Sequence, residues 1–395
     1  MVRKLQSLSL KQLKSFQKEF ERQTRARLQR RASSLAWFDS LIGPWEGKLM
    51  QKTPVAVVEL GGSFLRLGVA ESGDGKTVGW LKRPQSQKAV NYHLNSQDFV
   101  DWLAEKTLPF LKAGRAKRVG FIFSYPHRPR LNGRHITGVL TRLTKALVIP
   151  DAIGVNVGKM YLTALSHRGW PLKKLVTIND TVAVALSVPG AWMGLVMGTG
   201  ANICSTHPKL KRLRNIEAGN FDGGTHTLAS LAVDLLEKPG EQTMEKQTTG
   251  RYQYRVLAFA ALTAGMRPEL ARAIMVEGDK VESALVGKIS RGQFNLLKSA
   301  SLTKTEKQEL KIMAQIILEN AWQMWGAVLA AVVKMNPERV KNGPVKIPVT
   351  GGVILNEPVF FNGLKATVGK LSGKKIELVK IVDPIRGAAV AALVE

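Results

Sequence analysis

The chain has 395 residues, 45% of them hydrophobic, with 36 glycines and 17 prolines; this is enough apolar material for two lobes with a sizeable core, and it excludes a fibrous or disordered chain. Lys and Arg number 58 against 30 Asp and Glu, a formal charge of +28, which favours polyanions such as ATP, sugar phosphates, nucleic acid or an acidic membrane surface without choosing among them, and which also suits a plain solubility feature. The single cysteine, Cys204, excludes an intrachain disulfide framework and a cysteine-rich metal site, and fits a reducing cytoplasm.

Met1 to Ala32 reads as one helix, with Leu5, Leu8, Leu13, Phe16 and Phe20 at roughly helical spacing. The same stretch holds ten Lys and Arg against Glu19 and Glu21. That pattern gives either a solvated basic face on a helix packed against the body or an electrostatic anchor for a polyanion or anionic lipid. Pro54 to Ala70 reads as a hairpin: a buried strand from Val55 to Val58, a Gly61-Gly62 turn, and a return strand from Leu65 to Val69. A helix follows over Asp98 to Leu111, and a strand over Arg118 to Phe123. Leu175 to Ile178 is a short strand ending at Asn179, Asp180 and Thr181, after which a helix runs from Val182 to Leu186. Gly194 to Met197 is a strand leading into Gly198, Thr199 and Gly200; Lys307 to Lys334 is a long apolar helix. Ile347 to Val349 is a strand ending in Gly351 and Gly352, and Gly387 to Val394 is a small-residue helix. No run of about 18 apolar residues is apparent; the longest, Trp325 to Val333, is followed by Lys334. The polar, basic N-terminus gives no secretory signal. Strands alternating with helices, and glycine-rich turns after strand ends, make this an α/β chain whose ligands gather beyond the carboxyl ends of strands.

Transfer of a phosphoryl group from ATP needs backbone donors around the phosphates, a metal to neutralise charge, and a group that orients or deprotonates the attacking hydroxyl. The turns at Gly61-Gly62-Ser63, Gly198-Thr199-Gly200 and Gly351-Gly352 supply close backbone approach. No G-x-x-x-x-G-K-[ST] run or G-x-G-x-x-G fingerprint follows a strand, so neither a P-loop nor a dinucleotide fold is indicated. The six histidines show no metal-binding spacing, and no G-x-S-x-G elbow points to a hydrolase. Asp180, where a strand gives way to a helix, is either a helix N-cap or a general base.

The ordered set of motifs resembles the eukaryotic-type hexokinase and glucokinase family across nearly the whole chain. ELGGSFLR at 59–66 is similar to that family's D-L-G-G-T-N-F-R hairpin, FSYP at 123–126 to its F-S-F-P segment, and LTKAL at 143–147 to its W-T-K-G-F segment. NDTV at 179–182 matches letter for letter. GTGANIC at 198–204 resembles the G-T-G-T-N-A-C phosphate motif, and NIEAGNF at 215–221 resembles N-x-E-W-G-A-F. The D-G-S turn corresponds to Thr350-Gly351-Gly352 with Pro358 downstream, and the closing D-G-S-G-x-G-A-A helix to DPIRGAA at 383–389. The resemblance implies a two-lobed actin-like, ribonuclease-H-like fold with a cleft between a small and a large domain. The expected division is 1–50 as basic helix and lead-in on the large domain, 51–178 with 383–395 as the small domain, and 179–382 as the large domain.

It also implies an ATP:hexose 6-phosphotransferase using ATP and Mg2+, with glucose the first expected hexose. Ser124, Thr144, Lys145, Asn179, Asp180, Asn202 and Glu217 would hold the sugar. Asp180 would take the proton of the 6-hydroxyl, and Lys145 would steady charge near the transferring group. Gly61, Gly62, Ser63, Arg66, Gly198 and Thr199 would line the phosphates, Gly351 and the Thr350 region would lie near adenosine, and Mg2+ would be held through ATP and water near Glu59.

The match departs at Glu59 for Asp, Phe64 for Asn and Thr350 for Asp; the extra methylene at Glu59 shifts a water-held Mg2+ enough to cost rate. Against the family's E-K-M-I-S-G-M-Y-L-G-E the chain reads EKQTTGRYQYR at 245–255, so Arg255 stands where a terminal Glu is expected. A cation there would favour an anionic or already phosphorylated sugar. These departures sustain an alternative, a catalytically degenerate sugar- or nucleotide-binding regulatory protein. No specific nucleic acid is expected, since no stacking platform or motif accompanies the charge; residues 1–32 suggest weak association with a polyanion or anionic membrane. The oligomeric expectation is monomer or homodimer.

Overall fold

The structure, a computed structural model of the chain, describes residues 5–61, 64–89, 94–143, 148–207, 209–224, 226–281, 283–297, 300–340 and 343–394. Its strands are β1 (Trp37–Asp39), β2 (Val55–Leu60), β3 (Phe64–Glu71), β4 (Gly79–Lys88), β5 (Arg118–Phe123), β6 (His127–Asn132), β7 (His135–Leu140), β8 (Lys174–Ile178), β9 (Met193–Met197), β10 (Ala201–Thr206), β11 (Leu213–Ile216), β12 (Val345–Thr350) and β13 (Ile376–Lys380). Its helices are α1 (Leu10–Leu28), α2 (Ser96–Ala113), α3 (Val157–His167), α4 (Asp180–Leu186), α5 (Leu228–Leu236), α6 (Thr243–Thr248), α7 (Gly250–Thr263), α8 (Pro268–Val281), α9 (Ser283–Ser290), α10 (Lys304–Met335), α11 (Gly352–Asn356), α12 (Pro358–Ser372) and α13 (Arg386–Leu393).

Contacts group the chain into two compact units. A helix-rich unit comprises residues 1–37, 196–203 and 216–380; the other comprises 38–195, 204–215 and 381–395. The cut expected after residue 178 does not coincide with this grouping: Asn179 to Leu195 cluster with the strands before them, because α4 packs on α13 and β5.

The second unit is built on a seven-stranded sheet in the order β4-β3-β2-β5-β8-β7-β6. β2 and β3 form the expected hairpin, antiparallel with Val58 opposite Leu67, while β2–β5 and β5–β8 run parallel. Alternate residues of β2 enter opposite cores: Val58 and Leu60 pack with Phe99, Phe121 and Tyr161, and Val55 and Val57 pack with Ile178, Val182 and Ala389. A sheet covered on both faces accounts for the continuous apolar run that the sequence shows there. Both edge strands are basic and carry a proline, Pro84 in β4 and Pro129 in β6, a composition that blunts edge-to-edge pairing. The small residues of α13 let it lie directly on its neighbours: a Cβ on Gly387 would meet the Ala183 carbonyl, and one on Gly120 the Ala388 carbonyl.

A six-stranded sheet has the order β1-β11-β10-β9-β12-β13. In the helix-rich unit α10 is the long core helix. Its start carries a capping box of Thr303 and Glu306, and Arg267 pairs with Glu306 at 2.7 Å. By length and composition α10 could cross a membrane, but 72% of its most apolar window is buried within the protein, so it reads as a core helix. The N-terminal helix is shorter than its sequence pattern predicts. It begins at Leu10 because Ser9 and Gln12 form a capping box, and it packs Phe16 and Phe20 edge-on against Phe221 at 4.9 and 5.1 Å.

Candidate active site

In the second unit, β8 ends at Ile178 and α4 begins at Asp180. Asn179 is the N-cap: its Oδ1 accepts the Thr181 N–H at 3.1 Å and the Thr181 hydroxyl at 2.9 Å. Asn179 thus takes the N-cap position, and Asp180 lies one residue inside the helix, partly buried, its Oδ1 sharing the Thr181 N–H at 2.8 Å. Helix α4 is fixed by its buried side: the Thr181 hydroxyl also lies 2.9 Å from the Asn215 side-chain amide, and the Cys204 thiol donates to the Thr181 carbonyl at 3.1 Å. Burial pushes the Cys204 thiol up, so it stays protonated and serves as packing. A carboxylate at a helix N-terminus is favoured by the aligned peptide dipoles. Buried His127 lies within the field of Asp180; desolvation lowers its pKa despite the Tyr125 carbonyl 2.8 Å from Nδ1 and despite Asp180. Behind Asn179 is a cavity of only about 10 Å³, lined among others by Tyr125, His127 and Asn215, room for about one water.

Ser124 is buried where β5 ends, its N–H donating to the Leu60 carbonyl at 3.2 Å. In the same sheet Glu59 of β2 and Arg66 of β3 stand opposite each other and form an ion pair. Arg66, expected against phosphates, is thus neutralised across the hairpin, and Glu59, expected near Mg2+, is its partner. Gly61 donates its N–H to the Phe64 carbonyl at 3.0 Å. Gly62, Ser63, Thr144 and Lys145 lie outside the described residues.

The helix-rich unit gathers a second set. The turn of Gly198, Thr199 and Gly200 is closed by the Gly198 N–H on the Gly200 carbonyl at 2.8 Å. The carbonyls of Gly198 and Thr199 accept the N–H groups of Gly250 and Arg251 at 3.0 and 3.3 Å, where α7 begins. Gly351, at φ +110°, leaves no room for a side chain beside the Met197 carbonyl. A Cβ on Gly198 would lie 3.4 Å from the Gly352 nitrogen. The two turns therefore meet backbone to backbone, and at Gly351 only glycine fits. Thr350 ends β12, buried.

Asn202 Oδ1 accepts the N–H groups of Ile203 at 2.9 Å and Ala218 at 3.1 Å. It thereby pins the short turn that Glu217 opens. Glu217 donates its own N–H to the Ala36 carbonyl at 2.9 Å.

The sequence reading missed Glu245. Its carboxylate covers both glycine-bearing segments: a Cβ on Gly200 would lie 3.1 Å from Oε1, and one on Gly219 would lie 2.9 Å from Oε2. In the sequence it is the first Glu of the 245–255 run. Arg255 is not a cation presented to a ligand. It forms an ion pair with Glu237, donates to the Tyr254 hydroxyl at 3.0 Å and reaches Asp279 at 3.8 Å. These partners occupy its charge, which weighs against the expectation that it reads an anionic sugar.

Two family models described as hexokinase match the chain, one over residues 2–188 and one over 192–394. Hexokinase-2 of Candida albicans is 29% identical over 241 residues, covering 52% of this chain and 48% of that protein. Glucokinase-1 of Saccharomyces cerevisiae is 25% identical over 382 residues, covering 76% of each. The alignment thus spans about half the length of the first of these relatives. Among solved structures, a Schistosoma mansoni hexokinase complexed with glucose superposes with a TM-score of 0.77 at 19% identity, over 98% of this chain and 95% of that one. A further hexokinase crystal structure gives 0.81 at 20% identity, over 97% and 96%. At these identities the structures establish the fold, mixed α/β with two sheets. The family models, covering almost the whole chain in order, establish more: this chain belongs to the hexokinase family.

Proposed function

We propose that the chain is an ATP-dependent hexokinase that transfers the γ-phosphoryl group to the 6-hydroxyl of a hexose, glucose first among them. Asp180 accepts the proton of that hydroxyl as its oxygen attacks phosphorus, and ADP leaves. The observation that carries this reading is the start of α4, where Asn179 takes the N-cap and Asp180 stands in the first turn without being fully buried. Glu217, Glu245 and the amide of Asn202 suit hexose hydroxyls, which need paired donors and acceptors, and Ser124 and Asn179 add polar groups of the same kind. Thr144 and Lys145 belong to the same proposal by their place in the sequence.

The turns of 198–200 and 351–352, in which only Thr199 carries a side chain, suit a triphosphate, because glycine lets backbone N–H groups approach phosphate oxygens. Among the described residues no group of three or more His, Cys, Asp or Glu could hold a metal. Mg2+ would be carried by the triphosphate and water, supplying charge neutralisation at the phosphates. Glu59, bound to Arg66, acts on it at most through water.

A coupled assay of ADP release over a panel of glucose, fructose, mannose, glucosamine and hexose phosphates tests the reading. ADP release dependent on a neutral hexose supports it. Sugar binding without ADP release would favour the degenerate regulatory alternative, and a preference for hexose phosphates would restore Arg255 as a reader of anions.

A further inference from the structure

Helix α5 is built inside out. Its buried residues are Ala229, Ser230 and Val233, whereas Leu228, Leu231, Leu235 and Leu236 are 53%, 43%, 72% and 54% exposed. Positions 228, 231 and 235 follow three- and four-residue steps and share one face. Single exposed leucines need no explanation, but four on one nine-residue helix make a contiguous apolar patch, and such patches mark interaction surfaces.

The patch has a charged neighbour. Leu228 and Leu231 wall a groove of about 550 Å³ together with Leu5, Leu8 and Gln12. Gln12 lies in the first turn of α1, where a stripe of exposed cations begins: Lys11, Lys14, Lys18 and Arg25, at three-, four- and seven-residue steps, with Arg22 between the last two paired to Glu19. The apolar face of α1 is spent on the core, with Leu13, Phe16 and Phe20 buried. Hence the outer face of α1 offers mainly charge, with exposed Leu10 at its start, and α5 offers hydrophobe at the edge of that charge.

A chain of net charge +28 repels its own copies, so the chemistry that complements this surface is anionic and apolar together. Protruding leucines beside a cluster of Lys and Arg match the interface of an anionic bilayer, acyl boundary below and charged headgroups above. We propose that α5 and the outer face of α1 form a docking surface for an anionic lipid membrane. No residue assigned to sugar or nucleotide lies on either helix, so the surface stands apart from the kinase reading.

The test is co-sedimentation of the full-length protein with phosphatidylcholine vesicles, with and without roughly one-third phosphatidylserine. The comparison uses Leu231→Ser/Leu235→Ser and Lys11→Glu/Lys14→Glu/Lys18→Glu, each checked for fold by circular dichroism and for retained ADP release. The expected result is binding to the anionic vesicles only. It weakens about tenfold in the leucine variant and by at least roughly fivefold per cation removed, and it declines as salt rises. Absence of binding to anionic vesicles overturns the proposal. So does leucine-variant binding equal to wild type, and so does a concentration-dependent dimer that the leucine changes abolish while vesicles remain unbound, which would make a second copy the occupant.

Discussion

Glu245 and Arg255 mark opposite ends of one sequence run, and the packing of their side chains gives them opposite meanings. The carboxylate of Glu245 rests over Gly200 and Gly219, whereas the guanidinium of Arg255 is held by Glu237. A hydrogen bond from a sugar hydroxyl to a carboxylate contributes about 1.5–3 kcal/mol, or roughly ten- to hundredfold in affinity. Glu245→Gln should therefore raise the hexose KM by about tenfold or more with little change in the KM for ATP, while Arg255→Lys should leave hexose preference unchanged. Steady-state kinetics with both substrates varied separates the two. If the lysine variant alone altered sugar preference, Arg255 would regain the role its ion pair denies it. Asp180 was legible in the sequence; Glu245 was not, because its place beside Gly200 and Gly219 is a matter of packing. That Arg66 meets Glu59 follows from the register of β2 on β3, which motif spelling does not convey.

At the scale of elements, strand ends and small-residue helices were the legible features. β5 and the turns after β8, β9 and β12 fell where alternating apolar runs met polar or glycine residues. The start of α1 did not, because its boundary is set by a capping box at Ser9 and Gln12 and not by hydrophobic period. Gly387 is required by proximity: a Cβ there would meet the Ala183 carbonyl on α4, the helix that carries Asp180. Gly387→Ala should cost about 1–3 kcal/mol of stability through overpacking and lower kcat along with it by displacing α4. Chemical denaturation and turnover on the same sample check this, and an unaffected kcat in a destabilised variant would separate α13 from the site.

The start of α10 gives a pH signature. The Arg267 guanidinium and the Thr303 backbone N–H hold the Glu306 carboxyl down to about 2, from an ordinary 4.5. A carboxylate depressed in the folded state stabilises above the unfolded pKa and loses that contribution as pH falls through the folded one. The difference in melting temperature between wild type and Glu306→Gln should therefore be full above pH about 4.5 and vanish toward pH about 2. A difference that grew on acidification would contradict the assignment.

For the molecule as a whole, the order of motifs along the chain was more informative than any one of them. The α/β alternation and the family followed from it; the grouping of residues into compact units did not, because segments 196–203 and 216–380 cluster with residues 1–37, a three-dimensional property invisible to a linear cut. Charge was likewise unreadable from its sum. Part of the +28 protects sheet edges and part forms the stripe on α1, two roles that composition cannot tell apart. The account as a whole depends on the carboxylate of Asp180, and Asp180→Asn is its most direct test: same size, same helix position, no base. Hexose-dependent ADP release should fall by about 10²–10⁴-fold while glucose binding, followed by intrinsic tryptophan fluorescence, persists. Turnover within about tenfold of wild type, a change of only ~1.4 kcal/mol in the barrier, would contradict the assignment of Asp180 as the base.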